Sequence, residues 1–418
     1  MIKYMLKVDF DANKSINLGP RFLIRTLGCK VNQYDSADLR RLLEQAGFMA
    51  VADRLDLVIL NTCAVTLAAI SKDKQALNKL KSDNKQAKLV VMGCWPKTYQ
   101  PAIKADLVWG VGDLPKLVAQ IKKIVKFSGF KYLESGLTVT DRSRYFLKVG
   151  DGCNQFCSYC VIPFARGRVK SRSEIELIQE ARLAVKAGYR EIVLSGIHLG
   201  LYGQDLRGHV NLVSLLKKLV KINGLGRLRL SSIEINEVDD QLIELIASNK
   251  KLCRHLHISL QAGSDKILKL MKRPYLVKDF RQRIEKIRQS MPDIALSTDI
   301  IVGFPGENEA DFQMTYDFAK EMSFSKIHVF SFSAHPQTAA YKLSSRVSDG
   351  KIKERSQKLR ALSDRLEKKY REAILRKYQG KSMAVIIDQK KRGKTEFHFD
   401  LDLRQDIGRP GEMLNVKV

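Results

Sequence analysis

Three short apolar runs, Phe22-Leu-Ile, Leu57-Val-Ile-Leu and Leu89-Val-Val-Met, are each followed within a few residues by a cysteine: Cys29, Cys63 and Cys94. Such runs suit strands buried on both faces of a parallel sheet. The cysteines are 34 and 31 residues apart, about the length of one βα repeat. Helical stretches near 36–46 and 71–81 fill the intervals. Three parallel strands in one phase deliver all three thiols to a single carboxyl edge, where open α/β sheets bind ligands. Thiols distant in the chain are therefore expected to converge. The competing reading is three unrelated buried cysteines.

A second cysteine set is local. Asp151-Gly-Cys153-Asn-Gln-Phe-Cys157-Ser-Tyr-Cys160-Val-Ile-Pro has the spacing C-x3-C-x2-C. A structural zinc site wants four protein ligands, and the loop holds no fourth Cys or His; His198 stands beyond another strand. Three thiolates on a four-iron cluster leave one iron open for an exogenous ligand. The spacing favours iron–sulfur over zinc. Phe156 and Tyr159 are expected to shield the cluster from water. Cys253, in Lys-Leu-Cys-Arg-His, has no cysteine nearby and reads as a small buried residue.

The chain's 418 residues imply two or three domains. Residues 21–126 read as an α/β unit with a parallel sheet. A second α/β region has strand candidates at 145–149, 191–194, 227–230, 256–260, 294–301 and 326–332. Helical stretches at 174–187, 239–249, 277–290 and 309–321 alternate with them. Six β/α units predict a partial (β/α)6 barrel with function at the carboxyl ends of its strands. The C-x3-C-x2-C loop follows the first of these strands. Residues 351–377 read as a long basic helix with an apolar stripe of Leu359, Leu362, Leu366, Tyr370 and Ile374. Beyond it, 382–388 and 397–403 alternate as strands about a basic turn, Lys390-Lys-Arg-Gly-Lys, and predict a small β-barrel.

The formal net charge of +28 points to a polyanionic partner. Nucleic acid is preferred over a membrane, because no apolar run approaches the ~20 residues that span a bilayer. The first twenty residues lack the pattern of a secretory leader. An odd count of seven cysteines fits a reducing compartment better than a disulfide framework. The expected home is the cytoplasm.

The segment Gly152-Cys153-Asn-Gln-Phe-Cys157-Ser-Tyr-Cys160-Val-Ile-Pro163-Phe-Ala-Arg166-Gly167 resembles the radical S-adenosylmethionine (SAM) loop of the methylthiotransferases. Thr26-Leu-Gly-Cys29-Lys-Val-Asn32, Asn61-Thr-Cys63-Ala-Val-Thr66 and Gly93-Cys94 resemble that family's amino-terminal domain. Ser231-Ser-Ile-Glu234, His257-Ile-Ser-Leu-Gln261, Met271-Lys-Arg273-Pro-Tyr275 and Thr298-Asp299 through Glu307 resemble its core motifs. The resemblance implies three domains: an amino-terminal methylthiotransferase domain at 21–126, a radical SAM core at 139–369 and a short TRAM-like RNA-binding domain at 372–418. It implies two [4Fe-4S] clusters, one on Cys153, Cys157 and Cys160 that binds SAM, and an auxiliary one on Cys29, Cys63 and Cys94. An electron donor such as a flavodoxin or ferredoxin is implied too. Gly28-Cys29-Lys30-Val31-Asn32 is similar to the branch acting on threonylcarbamoyladenosine in the tRNA anticodon stem-loop. The branches acting on isopentenyladenosine or on a ribosomal protein usually carry other residues after the first cysteine.

The resemblance makes Gly196, Ser232, Glu234 and Gln261, all at strand ends, candidate SAM contacts. Of His255 and His257, only one is expected to face the barrel interior. Ser333-Ala-His335-Pro-Gln337-Thr338 departs from the family's usual Ser-x-Arg-x-Gly-Thr, which puts a charge contact there in doubt.

Overall fold

The computed structural model describes residues 19–98, 103–128, 143–403 and 407–418. The stretch read for a secretory leader falls almost wholly outside the described residues, as does the expected core boundary at 139.

The amino-terminal sheet is parallel. Its strand order is Met49–Ala50, Arg21–Thr26, Leu57–Thr62, Lys88–Gly93, Leu107–Val108. Leu57–Thr62 is buried along its whole length, as a central strand covered on both faces must be. Val58 and Leu60 pack with Leu77 and Val91 on one face. Leu57 and Ile59 pack with Leu39 and Leu117 on the other. The helices begin earlier than apolar periodicity suggested. Lys30–Gln45 starts directly after Cys29, and Leu67–Asp83 directly after Thr66, whose hydroxyl accepts from the Ala69 amide at 3.0 Å. A capping side chain marks the second of these starts, whereas Cys29 precedes the first without a side-chain cap bond.

Six parallel strands form the partial barrel: Tyr145–Asp151, Glu191–Gly196, Arg227–Leu230, His255–Ile258, Ala295–Val302 and Lys326–Ser331. They fall into two sheets, stitched by a bridge between Leu228 and Leu252. Successive side chains on a strand face opposite ways. Leu147, Leu194, Leu228, Leu256 and Ile300 join the main core under the helices. Their neighbours, among them Glu191, Arg229, His255, Ser297, Asp299 and His328, line the barrel interior. His255 and His257 both face inward, and both reach the Ser297 hydroxyl, at 3.1 and 2.9 Å. The expectation of only one is corrected, since residues two apart in a strand share a face.

The helix Asp349–Tyr378 spends its apolar stripe on packing. Leu359 and Leu362 join the main core, while Tyr370 and Ile374 meet Met383, Phe397 and Phe399. The carboxyl-terminal unit is a four-stranded antiparallel sheet, ordered Asp400–Asp402, Arg392–Thr395, Ser382–Gln389, Met413–Lys417. The basic turn is shorter than expected. Gln389 pairs with Arg392, which leaves Lys390-Lys391 as a two-residue turn with Lys391 in the left-handed region at φ 58°.

This sheet is pinned to the foot of the barrel. Glu191, fully buried, takes the Nε of Arg227 at 2.5 Å and of Arg229 at 2.8 Å. The far ends of the two guanidiniums donate to the backbone carbonyls of Ala384, Lys394, Thr395 and Glu396, at 2.7–3.0 Å. The carboxylate offsets the cost of burying the arginines, and each bond to a charged donor contributes about 1.5–3 kcal/mol. The His255 and His398 rings lie 4.3 Å apart at the same junction. Cys253 is buried there too, its amide bonded to the Leu228 carbonyl at 2.9 Å.

Candidate active site between two cysteine triads

The three phased cysteines converge at the carboxyl edge of adjacent strands. Cys29 stands at the N-terminus of Lys30–Gln45, and Cys94 is the first residue of the helix Cys94–Thr98. A helix N-terminus favours negative charge, so it lowers the cost of a thiolate there. Cys29 is exposed, while Cys63 and Cys94 are buried. The Cys29 and Cys63 loops touch: a Cβ on Gly28 (φ 105°) would sit 2.8 Å from the Cys63 Cβ and 3.2 Å from its Sγ. Asn32 ties the loops together, its Nδ2 donating to the carbonyls of Leu27 at 3.0 Å and Thr62 at 2.7 Å. Burial pushes the Cys63 thiol up to about 12, helped by the nearness of Cys94 and Cys29.

The second triad hangs on the loop leaving the first barrel strand. Gly152 (φ 71°) makes the turn, with room for no side chain: a Cβ would lie 2.0 Å from the Arg168 carbonyl oxygen. Burial pushes Cys160 up to about 12, and the Cys157 sulfur adds to the shift. Arg273 donates from Nη1 to the Cys157 Sγ at 3.2 Å and pairs with Glu234. Tyr275 steadies it, accepting from the Arg273 Nε at 3.1 Å and donating to the carbonyls of Ser259 and Leu260. His198 lies 3.1 Å from the Cys153 Sγ through Nδ1, and its Nε2 meets Glu237. Burial alone would lower the His198 pKa, but the bonds to Cys153 and Glu237 raise it to about 9. Both ring nitrogens of His198 are thus engaged, Nδ1 by Cys153 and Nε2 by Glu237. The shielding expectation needs one correction. Phe156 is 42% exposed, at φ 46°, because the loop turns its ring outward over Phe164, at 6.4 Å. Tyr159 lines the interior cavity instead.

Arg166 joins the two triads. Its side chain is 1% exposed. It donates from Nε to the Cys94 Sγ at 3.3 Å and from Nη2 to the Asn32 Oδ1 at 2.6 Å. Nη1 meets both oxygens of Asp151, at 3.0 and 2.8 Å, two residues before Cys153. Asp35 and Lys148 complete the network. Burial opposes the Asp151 carboxylate, but Arg166 and Lys148 hold it below the usual range. The sequence places Arg166 within a motif but shows no role for it, because Cys94, Asp35 and Asn32 lie more than seventy residues away.

A cavity beside Cys160 is lined by Val65 and Thr66, by Tyr159 to Ile162, and by Gln261, Asp299 and Phe330. Gln261 thus reaches the site, held at φ 67° by backbone bonds to Asp299 and Ile301. Glu234 is spent on Arg273. Ser232 is exposed. Gly196 ends the second barrel strand at an ordinary φ, and a Cβ there would meet only ordinary contacts, the nearest at 3.5 Å. Its lack of a side chain is not required by the local backbone.

The loop that departs from the family pattern clamps the amino-terminal unit. The Ser333 Oγ accepts from the Leu67 amide at 2.9 Å, His335 donates from Nε2 to the Val65 carbonyl at 3.0 Å, and Gln337 donates to the Thr98 carbonyl. These contacts flank Cys63 and close the helix that Cys94 opens.

Burial raises the thiols of Cys63, Cys94 and Cys160, so each triad holds at least one sulfur that ionises readily only when a metal takes it. This donor set fits iron–sulfur clusters. The Radical SAM superfamily matches residues 147–319, and the family described as Uncharacterized protein family UPF0004 matches residues 21–109. The threonylcarbamoyladenosine tRNA methylthiotransferase MtaB of Bacillus subtilis is 38% identical over 82% of this chain and 80% of its own length. The Aquifex aeolicus protein of the same name is 36% identical over 94% and 98%. A tRNA-2-methylthio-N(6)-dimethylallyladenosine synthase of Clostridium novyi is 33% identical over 98% and 96%. Among solved structures, the radical SAM methyltransferase TsrM of Kitasatospora setae shares the fold, at a TM-score of 0.58 and 15% identity over 77% of each chain. The chain belongs to the methylthiotransferase family of radical SAM enzymes.

Proposed function

We propose that this chain adds a methylthio group to C2 of N6-threonylcarbamoyladenosine at position 37 of tRNA, next to the anticodon. The relatives named for that substrate are 36–38% identical, against 33% for the synthase named for dimethylallyladenosine. The single observation that carries the reading is Arg166, bonded to Cys94 of one triad and to Asp151 beside the other.

Enzymes of this family use SAM and [4Fe-4S] clusters, which supply a radical at one site and sulfur at the other. The protein's part is positioning, tuning and exclusion of water. In this reading Cys153, Cys157 and Cys160 hold the SAM cluster, and Cys29, Cys63 and Cys94 the auxiliary one. Arg273 and His198 stabilise the thiolates of Cys157 and Cys153 through charge-assisted hydrogen bonds. Arg166 does the same for Cys94 while fixing the distance between the sites. Gln261 and Gly196 face SAM, and Glu234 acts on it only by placing Arg273.

The substrate is an anticodon-loop base, which an RNA-binding protein reaches without opening a duplex. The surplus of 28 positive charges supplies sequence-independent phosphate affinity, and the carboxyl-terminal sheet with Arg392 and Lys394 belongs to that surface. A flavodoxin- or ferredoxin-type donor supplies electrons. The reaction belongs to the cytoplasm, and among the described residues no helix is long and apolar enough to cross a membrane. The test is turnover of the reconstituted protein on tRNA carrying either precursor. Nucleoside mass spectrometry should show a methylthio product from threonylcarbamoyladenosine. A product from isopentenyladenosine alone would overturn the reading.

A further inference from the structure

Phe156 and Phe164 stand in solvent, 42% and 45% exposed, with their rings edge to face at 6.4 Å. Aromatic rings stabilise a fold chiefly by being buried, and adjoining apolar groups left open mark a contact surface. The backbone bends to put Phe156 there. It sits at φ 46°, a region where a bulky side chain is strained. Two bonds hold that presentation. The Cys153 amide donates to the Gly167 carbonyl at 3.0 Å, and the Val169 amide to the Asn154 Oδ1 at 3.2 Å. They fold the cysteine loop back on 167–169 and set the Arg168 guanidinium over the Phe156 ring, 5.7 Å from its centroid. The pair runs from one triad towards the other. Phe156 adjoins Cys157. Phe164 lies on the helix Ile162–Arg166, beside Ala165, which packs with Cys94 and Trp95, and two residues before Arg166, which bonds Cys94. The surroundings are basic. No Asp or Glu occurs from Cys153 to Lys170. Arg168 and Lys170 are exposed, and neither has an ion-pair partner among the described residues.

We propose that Phe156, Phe164 and Arg168 form a stacking platform for the nucleotides that flank the target base in the single-stranded anticodon loop. This rests on the tRNA reading above and deepens it. A base that leaves its stack to reach an active site exposes the faces of its neighbours. Aromatic rings and an arginine plane supply replacement faces for any base, and the free charges of Arg168 and Lys170 suit the phosphates between. A base held between the triads has its neighbours beside the segment that links them, and the open rings stand on that segment. An acidic electron-carrier protein is the rival occupant. It would need only the Cys157 end, whereas the exposed pair also reaches the Cys94 side.

The experiment uses the full-length, cluster-loaded protein without reductant and measures equilibrium binding of an anticodon stem-loop carrying threonylcarbamoyladenosine. Phe164→Leu keeps the apolar bulk and removes the ring face. It should weaken binding roughly 5- to 150-fold, and Phe164→Tyr should bind as the wild type does. Phe156→Gly removes the second ring and relieves its backbone, so RNA affinity should fall while the melting temperature holds or rises. Arg168→Gln should reduce the slope of log affinity against log salt by about one, and the Phe variants should leave that slope as it is. Iron content and SAM affinity verify the cluster loop, and Phe164→Leu carries the comparison if Phe156→Gly loses iron. Wild-type RNA affinity in Phe164→Leu overturns the proposal, as does a weakening that Phe164→Tyr shares. Unchanged RNA affinity with slower cluster reduction by a reduced flavodoxin also overturns it, and gives the surface to the electron carrier. Turnover separates the two levels. Methylthiolation of tRNA by a Phe164→Leu protein that binds RNA normally sinks only the platform, whereas no wild-type turnover on threonylcarbamoyladenosine sinks the parent reading.

Discussion

The Nε of Arg166 lies 3.3 Å from the Sγ of Cys94, although Arg166 ends the short helix after the Cys153–Cys160 loop and Cys94 opens a helix of the amino-terminal unit. Replacing Arg166 with Met removes a buried cation from Cys94, Asp35 and Asp151 together. Breaking such a buried network costs about 3–5 kcal/mol. Hydrogen bonds to cluster sulfurs also tune the potential. Potentiometric titration followed by electron paramagnetic resonance should show the auxiliary cluster harder to reduce in Arg166→Met, with Arg166→Lys in between. An unchanged potential would show that the contact does not tune that cluster.

Two glycines offer a complementary pair of lesions. Gly28→Ala forces a Cβ against Cys63, and Gly152→Ala forces one to 2.0 Å from the Arg168 carbonyl. Each also places a side chain at positive φ, which costs on the order of 1–3 kcal/mol. Iron and sulfide should fall by about half in either variant and nearly to zero in the double. Only Gly152→Ala should abolish reductive cleavage of SAM. Full iron in both single variants would remove these residues from the cluster sites.

The His335 and Gln337 contacts predict a local effect. His335→Ala with Gln337→Ala removes two bonds to the backbone flanking Cys63 and Cys94, worth about 0.5–1.5 kcal/mol each. Hydrogen exchange should speed up across 64–68 and 95–98 and stay unchanged in the barrel strands. Uniform acceleration throughout the chain would count against a clamp.

Glu191 predicts a pH dependence. Burial works against its carboxylate, but Arg229 and Arg227 outweigh that and hold it below the ordinary range. A depressed folded-state pKa contributes stability above the unfolded value, near 4.5, and loses it as pH falls through the folded one. Glu191→Gln should therefore loosen the carboxyl-terminal sheet at pH 7, read as faster proteolytic release of residues 382–418. The gap from wild type should narrow only below about pH 4. A gap independent of pH down to 3 would contradict the ion-pair account.

Both triads were legible because each rests on a short-range rule. One is a three-cysteine loop. The other is a strand-to-cysteine interval repeated at the length of a βα unit. The barrel was legible from Arg227-Leu-Arg-Leu and its counterparts, where alternation marks a strand. What those arginines hold was not legible, because the carbonyls of Ala384 and Lys394 lie more than 150 residues downstream. Separation along the chain likewise hid the clamp at His335 and the reach of Arg166 to Cys94 and Asn32. The helix starts at Lys30 and Leu67 lie upstream of the apolar periodicity, and only the second is marked by a capping side chain, Thr66. Placing the first start too late concealed that Cys29 sits at a helix N-terminus.

Arg227 and Arg229 grip main-chain oxygens of the carboxyl-terminal sheet rather than its side chains. A joint of that kind is indifferent to which residues occupy the hairpin, so long as its backbone keeps its path. Substitutions along 384–396 can therefore accumulate on the outward face without undocking the module. An appendage fastened in this way is free to be shortened or resurfaced while the barrel stays as it is.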